Sequence, residues 1–176
     1  LSPNKVSRSF AKYSKKYFDL FEDFRNDTKF CEGICWSNPT DVAVRLINII
    51  FSFPLFQNSK LLTPDLANAI QKEILLHTIY LENVFDSERK NFSSLTIILT
   101  ALLAGGNCFI KTPYGKRIAS TAKSLLESEI QKNISSDGVP MEHSIKNHLL
   151  IVEALTIAFL IRSEEHTSEL QSRHNL

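Results

Sequence analysis

Asn38-Pro39-Thr40-Asp41-Val42-Ala43-Val44-Arg45-Leu46-Ile47-Asn48-Ile49-Ile50-Phe51-Ser52-Phe53 is the stretch that decides the fold class. Asn38 carries the short polar side chain that caps a helix, Pro39 suits the first helical position, and Asp41 complements the positive end of the helix dipole. The helix Val42–Phe53 is apolar nearly all round. It should run to about Phe53, where Pro54 ends it. Its polar exceptions, Asp41, Arg45 and Asn48, lie four and three apart and therefore share one face.

The same start signal recurs downstream. Thr63-Pro64-Asp65 opens a helix carrying Leu66, Ile70, Ile74, His77 and Leu81 on one side and ending near Phe85–Glu88. Ser93 or Ser94 can cap a helix through Leu95–Ala104, which Gly105-Gly106 should stop. Thr112-Pro113 starts another through about Asn133, Asp137-Gly138 marks a turn, and a last helix runs from about Glu142 to Ile161. Upstream, Lys5–Arg25 spaces Phe10, Tyr13, Tyr17, Phe18 and Phe21 three and four apart, an amphipathic helix followed by a loop through Asp27–Cys35. The expectation is an all-α chain of six helices in antiparallel hairpins. Such hairpins stack into a solenoid or an α/α toroid, and periodicity alone does not choose between them.

Composition agrees with this. Phe is abundant (12) while Gly (5) and Pro (6) are scarce, favouring long elements over many short strands. A formal net charge of +1 argues against a general nucleic-acid binder, which needs a basic surplus. Leu95–Ala104 and Leu149–Ile161 are too short for a membrane span of about 20 residues. Three cysteines, Cys31, Cys35 and Cys108, make no disulfide framework, and Cys31 and Cys35 alone are weak evidence for a metal. The chain opens on Leu1-Ser2-Pro3, so its start says nothing about a leader.

Polar residues interrupt the apolar helices at two places. Asp41 and Arg45 form either an ion pair on a narrow exposed stripe or, with Asn48, the lining of a groove for a charged ligand. Spacing favours the ion pair. Glu142, Ser144, Asn147 and His148 cluster ahead of the apolar run Leu149–Ile161. They read as a solvated helix start, and Ser144 and His148, four apart, have no visible third partner for a hydrolase triad. His77 and Tyr80 read as packing residues and Asn91 as a loop or capping residue.

Trp36-Ser37-Asn38-Pro39-Thr40-Asp41, followed by Arg45 and Asn48, resembles the heparinase II/III signature of Trp, Asn-Pro, an acidic residue, then Arg and Asn three apart. Asp137-Gly138-Val139-Pro140-Met141-Glu142-His143-Ser144-Ile145-Lys146-Asn147-His148 resembles a second block of that family, Asp-Gly-x-x-x-Glu-x-Ser-x-x-Tyr-His. The two lie in the family's order, and the resemblance covers about Tyr13–Ile161. It implies that residues 1–161 form part of an α/α toroid, with a β-sandwich domain of the same protein beyond them. It also implies cleavage of an acidic polysaccharide by β-elimination at a uronate, in the periplasm or outside the cell, with no cofactor and no metal. By resemblance the catalytic positions fall on Asn91, Asn147 and His148, and the substrate-binding positions on Arg45, Asn48, Glu142 and Ser144.

Two departures matter. Asn147 stands where the family has its proton-transfer tyrosine, and an amide cannot exchange a proton at neutral pH as a phenol can. Asn91-Phe92 is the nearest match to an Asn-His pair, so Phe92 replaces the histidine. The fragment alone is therefore expected to be inactive. A non-catalytic glycan-binding relative, or a helical scaffold without a glycan role, are the alternatives. Finally, Arg162-Ser163-Glu164-Glu165-His166-Thr167-Ser168-Glu169-Leu170-Gln171-Ser172 resembles a translated sequencing adapter, and residues 162–176 are expected to be a non-native tail.

Overall fold

A computed structural model describes the backbone of residues 3–88, 91–141 and 144–174, and within these the side chains of residues 9–161. Six α-helices follow in order: α1 Pro3–Asp27, α2 Pro39–Phe56, α3 Pro64–Val84, α4 Phe92–Cys108, α5 Pro113–Asn133 and α6 Ile145–His174. Short 3₁₀ turns lie at Ile34–Trp36 and Phe85–Glu88. Among the described residues the only β-type pairing is one antiparallel bridge, Ile134 to Pro140, across the Asp137-Gly138 turn. The fold is all-α, as the helical spacing predicts.

The starts are set by local chemistry. Asn38 accepts from the Thr40 amide at 3.0 Å, Thr63 from Leu66 at 3.2 Å and Thr112 from Gly115 at 3.0 Å. Each has proline at the next position, where its missing N–H costs nothing.

Helix α4 is the centre of the molecule. It packs against α2, α3, α5 and α6, and from Phe92 to Gly106 every residue but Ser94 is buried. Its aliphatic side chains, Ile98 and Leu99 among them, leave almost no surface in water, and each such burial contributes roughly 1.5–3 kcal/mol. Two buried hydroxyls bond within their own helix, Thr96 donating to the Phe92 carbonyl and Thr78 to that of Ile74, both at 2.7 Å, while Thr100 of α4 donates to the Ala154 carbonyl of α6 at 3.4 Å. Helix α1 joins the rest through aromatic contacts. Phe18 and Phe21 are buried, and the Tyr17 ring stacks on Phe56 of α2 at 4.5 Å.

Three expected boundaries are corrected. Pro54 does not end α2, which continues to Phe56. Only the bond to the Ile50 carbonyl is lost, in the final turn, and the Tyr17–Phe56 stack holds that turn down. Gly105 and Gly106 do not stop α4, which runs to Cys108. They are there for close approach: a Cβ on Gly105 would collide with the Thr78 side chain of α3, and one on Gly106 would sit 2.6 Å from the Ala119 nitrogen of α5. Helix α6 starts at Ile145 rather than Glu142, and its backbone continues past Ile161 to His174.

Candidate functional site

Arg45 lies on the face of α2 turned toward α1 and the Ile34–Trp36 turn. Its Nε donates to His77 Nε2 at 2.9 Å, and its Nη2 donates to the Cys35 carbonyl at 2.7 Å. The guanidinium is flanked by the rings of Phe24 at 4.8 Å and Trp36 at 5.4 Å. Trp36 is in turn held by His77, with ring centroids 4.7 Å apart, and by Tyr80, whose hydroxyl donates to the Trp36 carbonyl. Arg45 is thus locked in one pose by groups from α1, the turn and α3. It does not pair with Asp41, as spacing suggested: its bonds reach residues remote in sequence, while the exposed Asp41 contributes only at longer range. Burial lowers the Arg45 pKa from its ordinary value, against the nearby carboxylates of Asp41 and Glu73, and a guanidinium in this setting remains protonated.

His77 is fully buried on α3. Because Nε2 accepts from Arg45, Nδ1 carries the ring proton and donates to the Glu73 carbonyl at 2.8 Å. Burial is the main force holding its pKa down at about 4, with the Arg45 charge acting in the same sense against the Glu73 hydrogen bond. His77 is therefore a neutral acceptor that orients a cation. His77 packs as expected, against the rings of Trp36 and Phe24, and it also orients Arg45. Its position in the apolar pattern hides this role, because the partner that reveals it is 32 residues away.

Arg45 and Asn48 line one groove of about 480 Å³ between α1 and α2, together with Tyr17, Phe21, Phe24 and Ser52. Arg45, Asn48 and Ser52 are three and four residues apart, so one stripe of α2 forms its wall. Tyr17 and the Ser52 hydroxyl are hydrogen-bonded at 3.0 Å. Burial raises the Tyr17 pKa, against that hydrogen bond, so the phenol stays neutral. Asn48 also borders a smaller hollow of about 140 Å³ that α6 closes with Leu150, Glu153, Ala154 and Ile157. A wider cleft of about 1050 Å³ runs between α1 and the start of α3. Asp19, Glu22, Asp23, Asp65 and Glu73 outnumber Lys15, Arg25 and Lys72 in it, so it repels a polyanion.

Of the other candidates, Asn91, Ser144, Asn147 and His148 do not line the Arg45–Asn48 groove. Asn91 is the N-cap of α4: its Oδ1 accepts from the Ser94 amide at 3.2 Å and the Ser93 hydroxyl at 2.9 Å. The cap is thus Asn91, not Ser93 or Ser94. Ser144 caps α6, its Oγ accepting from the Asn147 amide at 3.4 Å and its carbonyl from the His148 amide at 2.8 Å. Ser144, Asn147 and His148 therefore cluster at one helix start, joined through backbone amides. Glu142 lies outside the described residues.

Cys31, Cys35 and Cys108 are free thiols. Among the described residues no three His, Cys, Asp or Glu side chains gather as metal ligands would. Helix α2, rather than either stretch weighed from the sequence, is long and apolar enough to cross a membrane by length and composition. In this fold its Val42, Ala43, Leu46, Ile47 and Ile49 are buried, and the helix packs on α3 and α4.

Neither a curated protein nor a solved structure matches the chain. The family described as Heparinase II/III N-terminus matches residues 6–173, a span that begins within α1, ends within α6 and reaches into the stretch resembling adapter sequence. The chain belongs to the heparinase II/III N-terminal family.

Proposed function

We propose that this chain is the glycan-binding helical part of a polysaccharide lyase-like protein, one portion of an α/α toroid that acts on a uronate-containing acidic glycan. The observation that carries this is Arg45, half-buried and fixed by His77 and the Cys35 carbonyl, at the wall of a groove it shares with Asn48. In β-elimination a base removes the proton from the carbon beside the uronate carboxylate. The electron pair forms a double bond to the neighbouring carbon, the glycosidic C–O bond breaks, and the leaving oxygen takes up a proton. The carboxylate must be neutralised for that first proton to leave. A guanidinium beside an amide is chemistry suited to that task. The base and acid belong, by resemblance, at the start of α6, where His148 is present and Asn147 replaces the phenol.

A second reading is favoured by Asn147 itself: a relative that binds the glycan without cleaving it. Loss of one proton-transfer group typically costs about 10²–10⁴-fold in rate. The test is the ultraviolet absorbance of the unsaturated uronate product over a panel of uronate polymers. The 176-residue chain should give none, and turnover by it would refute the reading. Elimination appearing in Asn147→Tyr of the complete protein would mean that an intact groove lacked only its acid or base.

A further inference from the structure

We infer that the end of the α1–α2 pair where Phe10 meets Phe56 docks on an anionic lipid surface, with lysines of α1 against the headgroups and Tyr13, Phe51 and Leu55 entering the interface. The two helices lie antiparallel: the Phe10 and Tyr17 rings stack on Phe56, while Phe24 lies against Arg45. The first half of α1 and the last turns of α2 therefore share one end of the pair, and Arg45 lies at the other. Leu61, in the loop after α2, joins the first end, where it lines the cleft beside α1 with Lys15 and Phe18.

The charge at this end is one-sided. From Pro3 to Phe18 the chain carries Lys5, Arg8, Lys12, Lys15 and Lys16 and no acidic residue; from Leu46 to Thr63 it carries Lys60 and again no acid. The acids of α1, Asp19, Glu22, Asp23 and Asp27, all lie in its second half. Asp19 offsets Lys15 at 2.7 Å. Lys12 and Lys16, four apart and both exposed, repel each other along the helix, a cost that an anionic surface removes.

The same end exposes large apolar side chains. Tyr13 is 65% exposed, Leu55 69%, Leu61 46% and Phe51 42%. Val44, Phe51 and Leu55 lie seven and four residues apart, one stripe of α2 turned away from its buried face. The core face of α2 packs on α4, so this stripe is what α2 offers, and the helix lies along a bilayer rather than crossing it. A sulfated or carboxylated glycan asks for arginine forks and polar neighbours. Lysines beside Tyr, Phe and Leu suit the headgroup boundary instead, where the ammonium group reaches water and phosphate while the ring and aliphatic tip sit below it.

The test is sedimentation of the 176-residue chain with vesicles of phosphatidylcholine alone and of equal parts phosphatidylcholine and phosphatidylglycerol. The anionic vesicles should bind about tenfold or more tightly than the neutral ones, and high salt should release the chain. Lys12→Gln combined with Lys16→Gln should weaken binding about ten- to thirtyfold, at roughly fivefold per lysine. Leu55→Ser, which alters no charge, should weaken it about tenfold. All three side chains are exposed, and circular dichroism confirms that the variants fold. Equal affinity for the two vesicles, or none for either, overturns the inference. Heparin binding as tight as vesicle binding and unmoved by Leu55→Ser also overturns it, because the lysines would then serve an acidic glycan. A dimer that Leu55→Ser dissociates, without vesicle binding, would assign the face to a second copy of the chain instead.

Discussion

Acidification should destabilise this protein through His77 before it affects most of the surface carboxylates. The neutral ring accepts from Arg45 Nε at 2.9 Å with no solvent exposure, so protonation would place a cation against a cation in a closed space. Burial chiefly holds the folded pKa at about 4, against 6.5 for an ordinary histidine. The sign follows from which state binds the proton. Above 6.5 neither state does, and stability is flat. Between 6.5 and about 4 the unfolded chain takes up a proton that the folded chain refuses, so stability falls as pH falls. Below about 4 both are protonated and this loss is complete, at roughly 3 kcal/mol in total and about 2 kcal/mol by about pH 5. Glu73, whose pKa burial raises, works the opposite way near its own titration: protonated earlier in the folded state, it adds stability as pH falls. The comparison variant removes that complication. His77→Gln keeps an acceptor for Arg45 and retains Glu73, but does not titrate. Urea denaturation from neutral pH to about pH 5 should show the parent losing about 2 kcal/mol more than the variant. Equal pH dependence in the two would refute the assignment of His77 as a buried neutral acceptor.

Gly106→Ala should cost about 1–3 kcal/mol in a urea melt although alanine is the better helix former, because the new methyl meets the Ala119 backbone at 2.6 Å; a stabilised variant would mean that α5 can move away. Asn91→Ala should lower stability by about 1 kcal/mol through loss of the α4 cap while Asn91→Ser retains most of it, and an unchanged melting curve for Asn91→Ala would separate this residue from any capping role. Deleting residues 162–176 should leave the thermal midpoint nearly unchanged if they are a foreign tail, whereas a large drop would show that the extension of α6, which the family match partly covers, belongs to the domain.

The parts of this fold that were legible in the sequence are those fixed by a few neighbouring atoms. Asn38-Pro39, Thr63-Pro64 and Thr112-Pro113 announce helix starts because the cap and the first turn lie within four residues, and all three helices begin there. The misread boundaries are places where a local signal met a distant contact. Gly105-Gly106 has the composition of a helix stop, but Thr78 and Ala119 approach so closely that only hydrogen fits between the helices. Pro54 ends a helix in isolation, yet the ring of Tyr17, on another helix, stacks on Phe56 beyond it.

The site divides along the same line. That Arg45 and Asn48 share a face follows from their spacing, and both do line one groove. What Arg45 does with its donors does not follow from spacing. Asp41 is one turn away and is the partner that local geometry offers, but an exposed pair held by two flexible side chains is worth at most about 1 kcal/mol. His77 and the Cys35 carbonyl offer fixed acceptors in a half-buried setting, where each bond to a charged donor is worth more and the aromatic flanks exclude water. A guanidinium taken by Asp41 would already hold its carboxylate. Under the proposed function, Arg45, held instead by a neutral ring and a carbonyl with Asp41 and Glu73 acting only through longer-range charge, is the group that meets an anion from outside. That difference between an ion pair and a cation oriented by neutral acceptors rests on His77, whose distant partner the apolar pattern had hidden.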